Sequence, residues 1–501
     1  AGICGFARYE IMHPETRKMV SHHLDTLFSR LRQMPFSDSI FSFCLTNEPN
    51  YSGADPKEKA SQQRFAAYLK NKFKTVAELN RRSGLAFADF DAASQSAVTE
   101  PAMRVLFEKY RQWALLDWHQ FIAKETKKYF PDIPIQTKIM VFFTLDPQQL
   151  ELGVDPELYS ELGDINGNDN YFYYTPGGTW IADWGKTTFY HDLQWSFKPA
   201  AIVNGENHIM PDGFPGRLPY GHVYTQAFQQ YASGVSGLAT WIWAPYKFDH
   251  PEIIHNNISR RPLALAALGE ATFDANRLFN ELQSLRRAPA EVALFYSQTA
   301  YLWDPKGYST AIRGVHEQLC FTGRPITFLS EKQLIRDQFG SARLLILTNV
   351  KNLDREAWQG IRRFTASGGR VMYTGAMPLR DEFNRALPPL PIPAERLNIT
   401  PYPGMDIASL EKQIAPNLSA FQLGMTVSHA SGMQGIYRRT VSTPQGELTN
   451  LVNYNKGIRN IHFQIPRGYK LRELISAQLI DGAYSLKPLS PILVRLEKAE
   501  N

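Results

Sequence analysis

The stretch "FSFCLTNEPNY" (41–51) is a short apolar run that stops at an amide, a carboxylate and a proline. A run of this length bounded by turn formers reads as a strand, with Glu48 at its C-terminal end. A second such run, "PAAIVNGENHIM" (199–210), ends on Glu206. Around these lie "PIQTKIMVFF" (134–143), the weaker "GDINGNDNYFYY" (163–174) and "GLATWIWAPY" (237–246), each with polar or aromatic residues at its end. Val20, Leu24, Leu27, Phe28 and Leu31 place an amphipathic helix within 14–34, and helices are expected near 57–80, 101–129, 221–234 and 262–287. Near-continuous apolar strands alternating with helices predict a parallel sheet covered by helices. The fold class is therefore α/β, a (β/α)8 TIM barrel whose site lies at the C-terminal strand ends.

Further along, "EVALFYS" (291–297), "ARLLILTNV" (342–350) and "GGRVMYTG" (368–375) are strands separated by helical stretches, which predicts a smaller doubly wound α/β domain. Gly368-Gly369 does not make a dinucleotide fingerprint. The Pro-rich run 386–404 reads as a linker or extended connection, and "ELTNLVNY", "RNIHFQIP" and "PILVRLE" predict a small antiparallel β domain. The expected units are 1–288, 289–400 and 401–501, within the two to four domains that 501 residues imply.

With 44% hydrophobic and 20% charged residues the composition is globular. The net charge of +6 is spread without any block of like charge, so no nucleic-acid partner is expected. No stretch approaches the roughly 18 apolar residues of a membrane span, and the compartment is left open between cytoplasm and periplasm. The three cysteines, Cys4, Cys44 and Cys320, form neither a disulfide framework nor a zinc cluster. The 12% aromatic content suits sugar rings as well as cores.

Hydrolysis of a glycosidic bond with retention needs two carboxyl groups about 5 Å apart, one protonated and one ionised. A lone glutamate after a strand is more often a loop acid, but Glu48 and Glu206 on strands of one barrel reverse those odds. Asn47 can donate to a sugar hydroxyl and Tyr171 to the nucleophile. His208 is a candidate substrate ligand, with a structural role equally open. Trp180 and Trp184, in "YTPGGTWIADWGKTTFYHDLQW", are candidate subsite walls, with ordinary loop packing as the alternative. His13, His22 and His23 read as solvated, and Asp164, Asp169 and Asn170 lack the spacing of a calcium loop. Neither metal nor cofactor is expected. Asn257-Ile-Ser, Asn398-Ile-Thr and Asn417-Leu-Ser match the glycosylation sequon, which is too common to decide anything.

"TNEPN" resembles the Asn-Glu-Pro signature at the end of the fourth barrel strand of clan A glycoside hydrolases, which implies that Glu48 is the acid/base. "NGENH" resembles the end of their seventh strand, which implies that Glu206 is the nucleophile. "DINGNDNYFYY" resembles the sixth and "TWIWAPY" the eighth, with Trp243 as a floor for the sugar. "RFAAYLKNKFKTVAELNRRSG" is similar to the segment after the fourth strand in family 42 β-galactosidases, whose barrel, trimerisation-type α/β domain and small β domain match the layout here. The resemblance implies a retaining, exo-acting β-galactosidase-like enzyme and a trimer-like homo-oligomer. Two departures stand: Pro49 is commoner in families 5, 1 and 2, and the zinc-binding cysteine cluster of some members is absent.

On this numbering only 47 residues precede Glu48, whereas three βα units need on the order of 100 at roughly 30 each. "AGICGF" is then the tail of strand three. Barrel strands one to three are expected on a missing N-terminal segment or a companion chain, in preference to a permuted barrel. The rival functions are an endo-acting clan A hydrolase of a plant or algal polysaccharide and a non-catalytic carbohydrate-binding protein on a decayed barrel.

Overall fold

The computed structural model describes residues 10–141, 144–212, 214, 216–243, 257–390, 393–401, 403–419 and 424–499. Five parallel strands come first: β1 (Phe43–Asn47), β2 (Ile135–Lys138), β3 (Asn166–Asn168), β4 (Ile202–His208) and β5 (Val235–Trp241). β1 pairs with β2, and β3, β4 and β5 pair in order. A parallel bridge between Ile139 and Asn168 joins the two groups into one sheet. Among the described residues this sheet is an open arc with β1 and β5 at its edges.

The helix Pro101–Tyr129 connects β1 to β2. Proline at its first position costs no hydrogen bond there, and Glu100 caps it. The helix expected over 57–80 is two, Lys59–Phe73 and Val76–Ser83, because Lys74 takes a φ of 65° and Thr75 caps the second. That over 262–287 likewise divides into Pro262–Arg277 and Phe279–Arg287.

One strand expectation changes. The run 163–174 yields only β3, because the side chains after it bind backbone: Asn168 accepts from Asn170 N at 3.1 Å, and Asn170 Nδ2 donates to Thr187 O at 2.8 Å. β1 is half-exposed, with Cys44 and Asn47 open to solvent, as suits an edge strand. "AGICGF", Phe142, Phe143 and the part of "GLATWIWAPY" after Trp243 lie outside the described residues.

The second sheet holds β6 (Val292–Tyr296), β7 (Ile326–Ser330), β8 (Leu344–Thr348), β9 (Arg370–Thr374) and β10 (Glu395–Arg396), all parallel in the order β10-β9-β8-β6-β7. The chain steps outward from β6 in both directions, the doubly wound pattern. The stretch expected as a linker contributes β10. The remainder is antiparallel: β11 (Thr426–Ser428), β12 (Ile436–Thr443), β13 (Gly446–Asn453), β14 (Arg459–Gln464), β15 (Tyr469–Glu473), β16 (Leu479–Ile480), β17 (Ala483–Leu486) and β18 (Ile492–Lys498). These form sheets β12-β13-β18-β15-β16 and β11-β14-β17.

One buried carboxylate pins the arc to both other parts. Asp192, on the helix Trp184–Phe197, accepts from Arg286 at 2.5 Å, from Arg439 of β12 at 2.8 Å and from His316 at 3.0 Å. His316 lies on the helix Pro305–Cys320, which follows β6. Burial alone would raise the Asp192 carboxyl, but its cationic neighbours outweigh it and hold it far below the carboxylate range.

Candidate active site

Glu48 follows a one-residue bulge, and Glu206 lies within another. Between β1 and β2, three steps from Cys44 to Asn47 oppose two from Gln136 to Lys138. Between β4 and β5, three steps from Asn204 to Asn207 oppose two from Leu238 to Thr240. An extra residue bends a strand and re-aims the side chains beside it. Glu48, immediately past β1, also has a φ of 46°, in the left-handed region that a side chain other than glycine or asparagine seldom occupies. Such strain persists only where the surroundings over-determine it, and it clusters at functional sites. Here the surroundings include the Glu48 N–H donating to Lys138 O at 2.8 Å.

Lys138, the last residue of β2, joins the two glutamates. Its ammonium donates to Glu206 Oε2 and lies 3.6 Å from Glu48 Oε1. One ammonium thus lies beside both carboxylates. The lysine side chain is only 7% exposed. Gly205 leaves it room: a Cβ there would stand 3.1 Å from Lys138 Cδ.

Glu206 is held from the other side by His208, whose Nε2 donates to Oε1 at 3.0 Å. The imidazole lies between Tyr171, at 4.5 Å between ring centroids, and Trp241, at 5.6 Å and nearly parallel. Burial pushes the Glu206 carboxyl up, but the bonds from His208 and Lys138 outweigh it and hold the group below its ordinary value. Burial, then the neighbouring Tyr173 and the charges of Asp169 and Glu206, raise the Tyr171 hydroxyl far above its usual range, so it remains a donor. Asp169, 1% exposed, accepts from Val141 N at 3.2 Å. Burial and the charges of Glu48 and Glu206 raise its carboxyl well above the usual range against the pull of Lys138.

The backbone beneath Glu206 is fixed by buried amides. Asn204 Oδ1 accepts the Glu206 N–H at 3.2 Å, while its Nδ2 donates to Gln230 at 2.8 Å. Asn207 donates to Gln226 at 3.1 Å and accepts from Gln230 at 2.8 Å. Both glutamines lie on the helix Tyr220–Ala232, four residues apart and so on one face.

Of the expected site residues, the structure brings together Glu48, Glu206, His208 and Tyr171, with Asn47 exposed at the strand end beside Glu48. Trp243 is 61% exposed just past β5. Trp180 and Trp184 are corrected: neither is a wall open to substrate. Trp184 is fully buried and stacks on Tyr454 at 4.6 Å, and Trp180 is buried with its Nε1 bonded to Glu317 at 3.0 Å. Both fill the seam between the arc and the other two parts, where their large area is worth most. Sequence reading missed Lys138, Trp241 and the amide network. A lysine inside the apolar run "PIQTKIMVFF" was the available signal for the first. Among the described residues no group of histidine, cysteine and carboxylate side chains could hold a metal.

No curated protein sequence matches. Among solved structures, the exo-carrageenase of Bacteroides ovatus superposes with a TM-score of 0.82 at 18% identity, over 99% of this chain and 71% of that one. The β-galactosidase of Bacillus circulans sp. alkalophilus gives 0.73 at 16%, over 99% and 84%. The β-galactosidase of the psychrophilic Marinomonas ef1 gives 0.70 at 15%, over 99% and 85%. At these identities the likeness concerns the fold, a TIM barrel with a C-terminal β domain. The model of glycoside hydrolase family 42, described as beta-galactosidase, matches residues 4–269, more than half of the chain. The chain therefore belongs to glycoside hydrolase family 42 and is a glycoside hydrolase acting on carbohydrate.

Proposed function

We propose that this protein is a retaining, exo-acting β-galactosidase-like enzyme, with Glu48 as acid/base and Glu206 as nucleophile. The observation that supports the reading is the approach of one lysine ammonium to both carboxylates, which gathers the two acids at one point of the strand ends, as double displacement requires. The depressed Glu206 carboxyl suits the group that must attack as an anion. Asn47, Tyr171, Trp243 and His208 are placed to meet the sugar, with His208 also holding the nucleophile.

Replacing either glutamate by Gln is expected to lower turnover of a nitrophenyl β-galactoside by about 10²-fold or more. Azide should restore activity to Glu206→Gly and give a product of inverted configuration. Losses below about tenfold for both Gln variants would overturn the assignment.

The exo-carrageenase neighbour favours a second reading, exo-action on carrageenan itself. Monosaccharide release from nitrophenyl galactosides, with none from carrageenan oligosaccharides, supports the first reading. Internal cleavage with a rapid fall in viscosity supports the endo-acting alternative.

We further take 1–288, 289–400 and 401–501 as the structural units. The sides of the arc carry exposed apolar groups: Met19, Leu27, Met34, Phe36 and Phe41 before β1, and Leu263, Leu265 and Phe273 after β5. Such surface calls for cover, and additional strand-helix units, on the same or a companion chain, would supply it and complete the barrel. Homo-oligomerisation of the trimer type is tested by light scattering.

A further inference from the structure

We propose that Lys138 is a positioning residue, a stationary counter-ion for the one negative charge that Glu206 and Glu48 exchange during turnover. This rests on the assignment of the two glutamates made above.

The charge balance of double displacement defines the task. In the first step Glu206 attacks the anomeric carbon as a carboxylate, the glycosidic C–O bond breaks, and the departing oxygen takes the proton of Glu48. Glu206 is now a neutral ester and Glu48 a carboxylate. In the second step water attacks the same carbon, its proton passes to Glu48, and the ester bond breaks to return the carboxylate to Glu206. The pair carries one negative charge throughout, first on one side chain and then on the other.

Lys138 is built for that exchange. Its ammonium already donates to Glu206 and stands 3.6 Å from Glu48, so a movement of under about 1 Å would convert that approach into a charge-assisted bond. Its carbonyl holds the Glu48 N–H at 2.8 Å, which ties the two ends of the charge path to one residue. The stem is buried and passes the Cβ-less Gly205, so the cation is held at its post rather than free to swing.

The groups around it leave the role to Lys138. Asp169, beyond β3, is an acid whose carboxyl burial raises, so it offers the two glutamates no positive charge. Tyr171 and Tyr173 are kept as phenols, again chiefly by burial. His208 reaches only Glu206 among the pair, with Asp212 3.6 Å from its other nitrogen. Cys44 of β1, exposed as a residue, keeps a neutral thiol raised by desolvation at its sulfur.

The test uses Lys138→Met, Lys138→Gln and Lys138→Arg in the intact protein, with 2,4-dinitrophenyl β-galactoside as the probe, because its leaving group makes the second step limiting. Loss of the cation is expected to lower kcat about tenfold or more, and azide, which attacks without giving a proton to Glu48, should recover most of it. The acid limb of kcat/KM should rise by about one pH unit, since Glu206 loses an opposite charge, and Lys138→Arg should restore both. A space-filling role would slow the enzyme without moving that limb or responding to azide. An unmoved limb and no azide effect in Lys138→Met and Lys138→Gln overturn the proposal. The glutamate variants run in parallel separate the two readings. If they behave as assigned while the lysine variants do not, only the lysine proposal falls; if they remain active, both fall. The uncharged Gln variant is read alongside Met, so one unfolded variant does not remove the measurement.

Discussion

His208 donates its Nε2 hydrogen to Glu206 Oε1 at 3.0 Å, from two residues further along the same strand. Consecutive even positions of a strand face one way, so the histidine can bond its neighbour only because both point into the same space. Removing it by His208→Ala takes a hydrogen bond from the ionised form of Glu206, worth about 1.5–3 kcal/mol to a charged group. The sign follows from the depressed Glu206 carboxyl. Without the donor it protonates at higher pH, so the acid limb of kcat/KM moves up while the alkaline limb keeps its place. A pH profile of the variant on a nitrophenyl galactoside checks this.

Gly205→Ala places a methyl group 3.1 Å from Lys138 Cδ and 3.5 Å from its Cγ. The stem can yield by a few tenths of an ångström, so stability should fall by less than about 1 kcal/mol, but the ammonium should leave its position. Activity is expected to fall several-fold. Introduced into Lys138→Met, the same change should cost much less, because neighbouring effects of this kind are not additive.

Asp192→Asn removes the anion that Arg286, Arg439 and His316 share. Two buried guanidinium groups then lack their partner, which is expected to cost about 3–5 kcal/mol. Thermal unfolding should show a large drop in Tm, or a separate early transition as the arc parts from the other sheets. Because the Asp192 carboxyl is held far below the carboxylate range, its contribution is fully present above the ordinary carboxylate value. It is lost only as pH falls towards that depressed value, so mild acid should not mimic the mutation.

Trp184→Ala tests a tryptophan that sequence alone offered to substrate. Its stacking on Tyr454 and full burial predict a loss of about 3–5 kcal/mol of stability. KM for a nitrophenyl galactoside should change little where the variant is folded. A large rise in KM with unchanged Tm would return this residue to the sugar site.

The alternation of strands and helices was legible because buried parallel strands are nearly continuous in apolar residues, as in β6 and β8. The two glutamates stood out in the sequence because each follows a short apolar run. The tryptophans were misread because aromatic character is the same in a subsite and in a seam, and only the position of Tyr454, more than 200 residues away, decides between them. Lys138 was missed because its meaning lies in two partners from other strands, which no spacing within "PIQTK" reveals. β3 was over-extended because Asn168 and Asn170 bind backbone that a longer ladder would otherwise use.

The paired bulges in β1 and β4 carry a consequence for parity. Side chains alternate across a sheet, so one extra residue exchanges inside and outside for everything beyond it. Glu48 and Glu206 each lie at or just past such a step, which makes the catalytic face a matter of odd and even counting as much as of residue type. Deleting one residue from 203–205 would keep the whole "ENH" motif and yet turn Glu206 away, presenting Asn207 in its place. In this fold a loss of function can thus arise with every functional side chain still in the sequence.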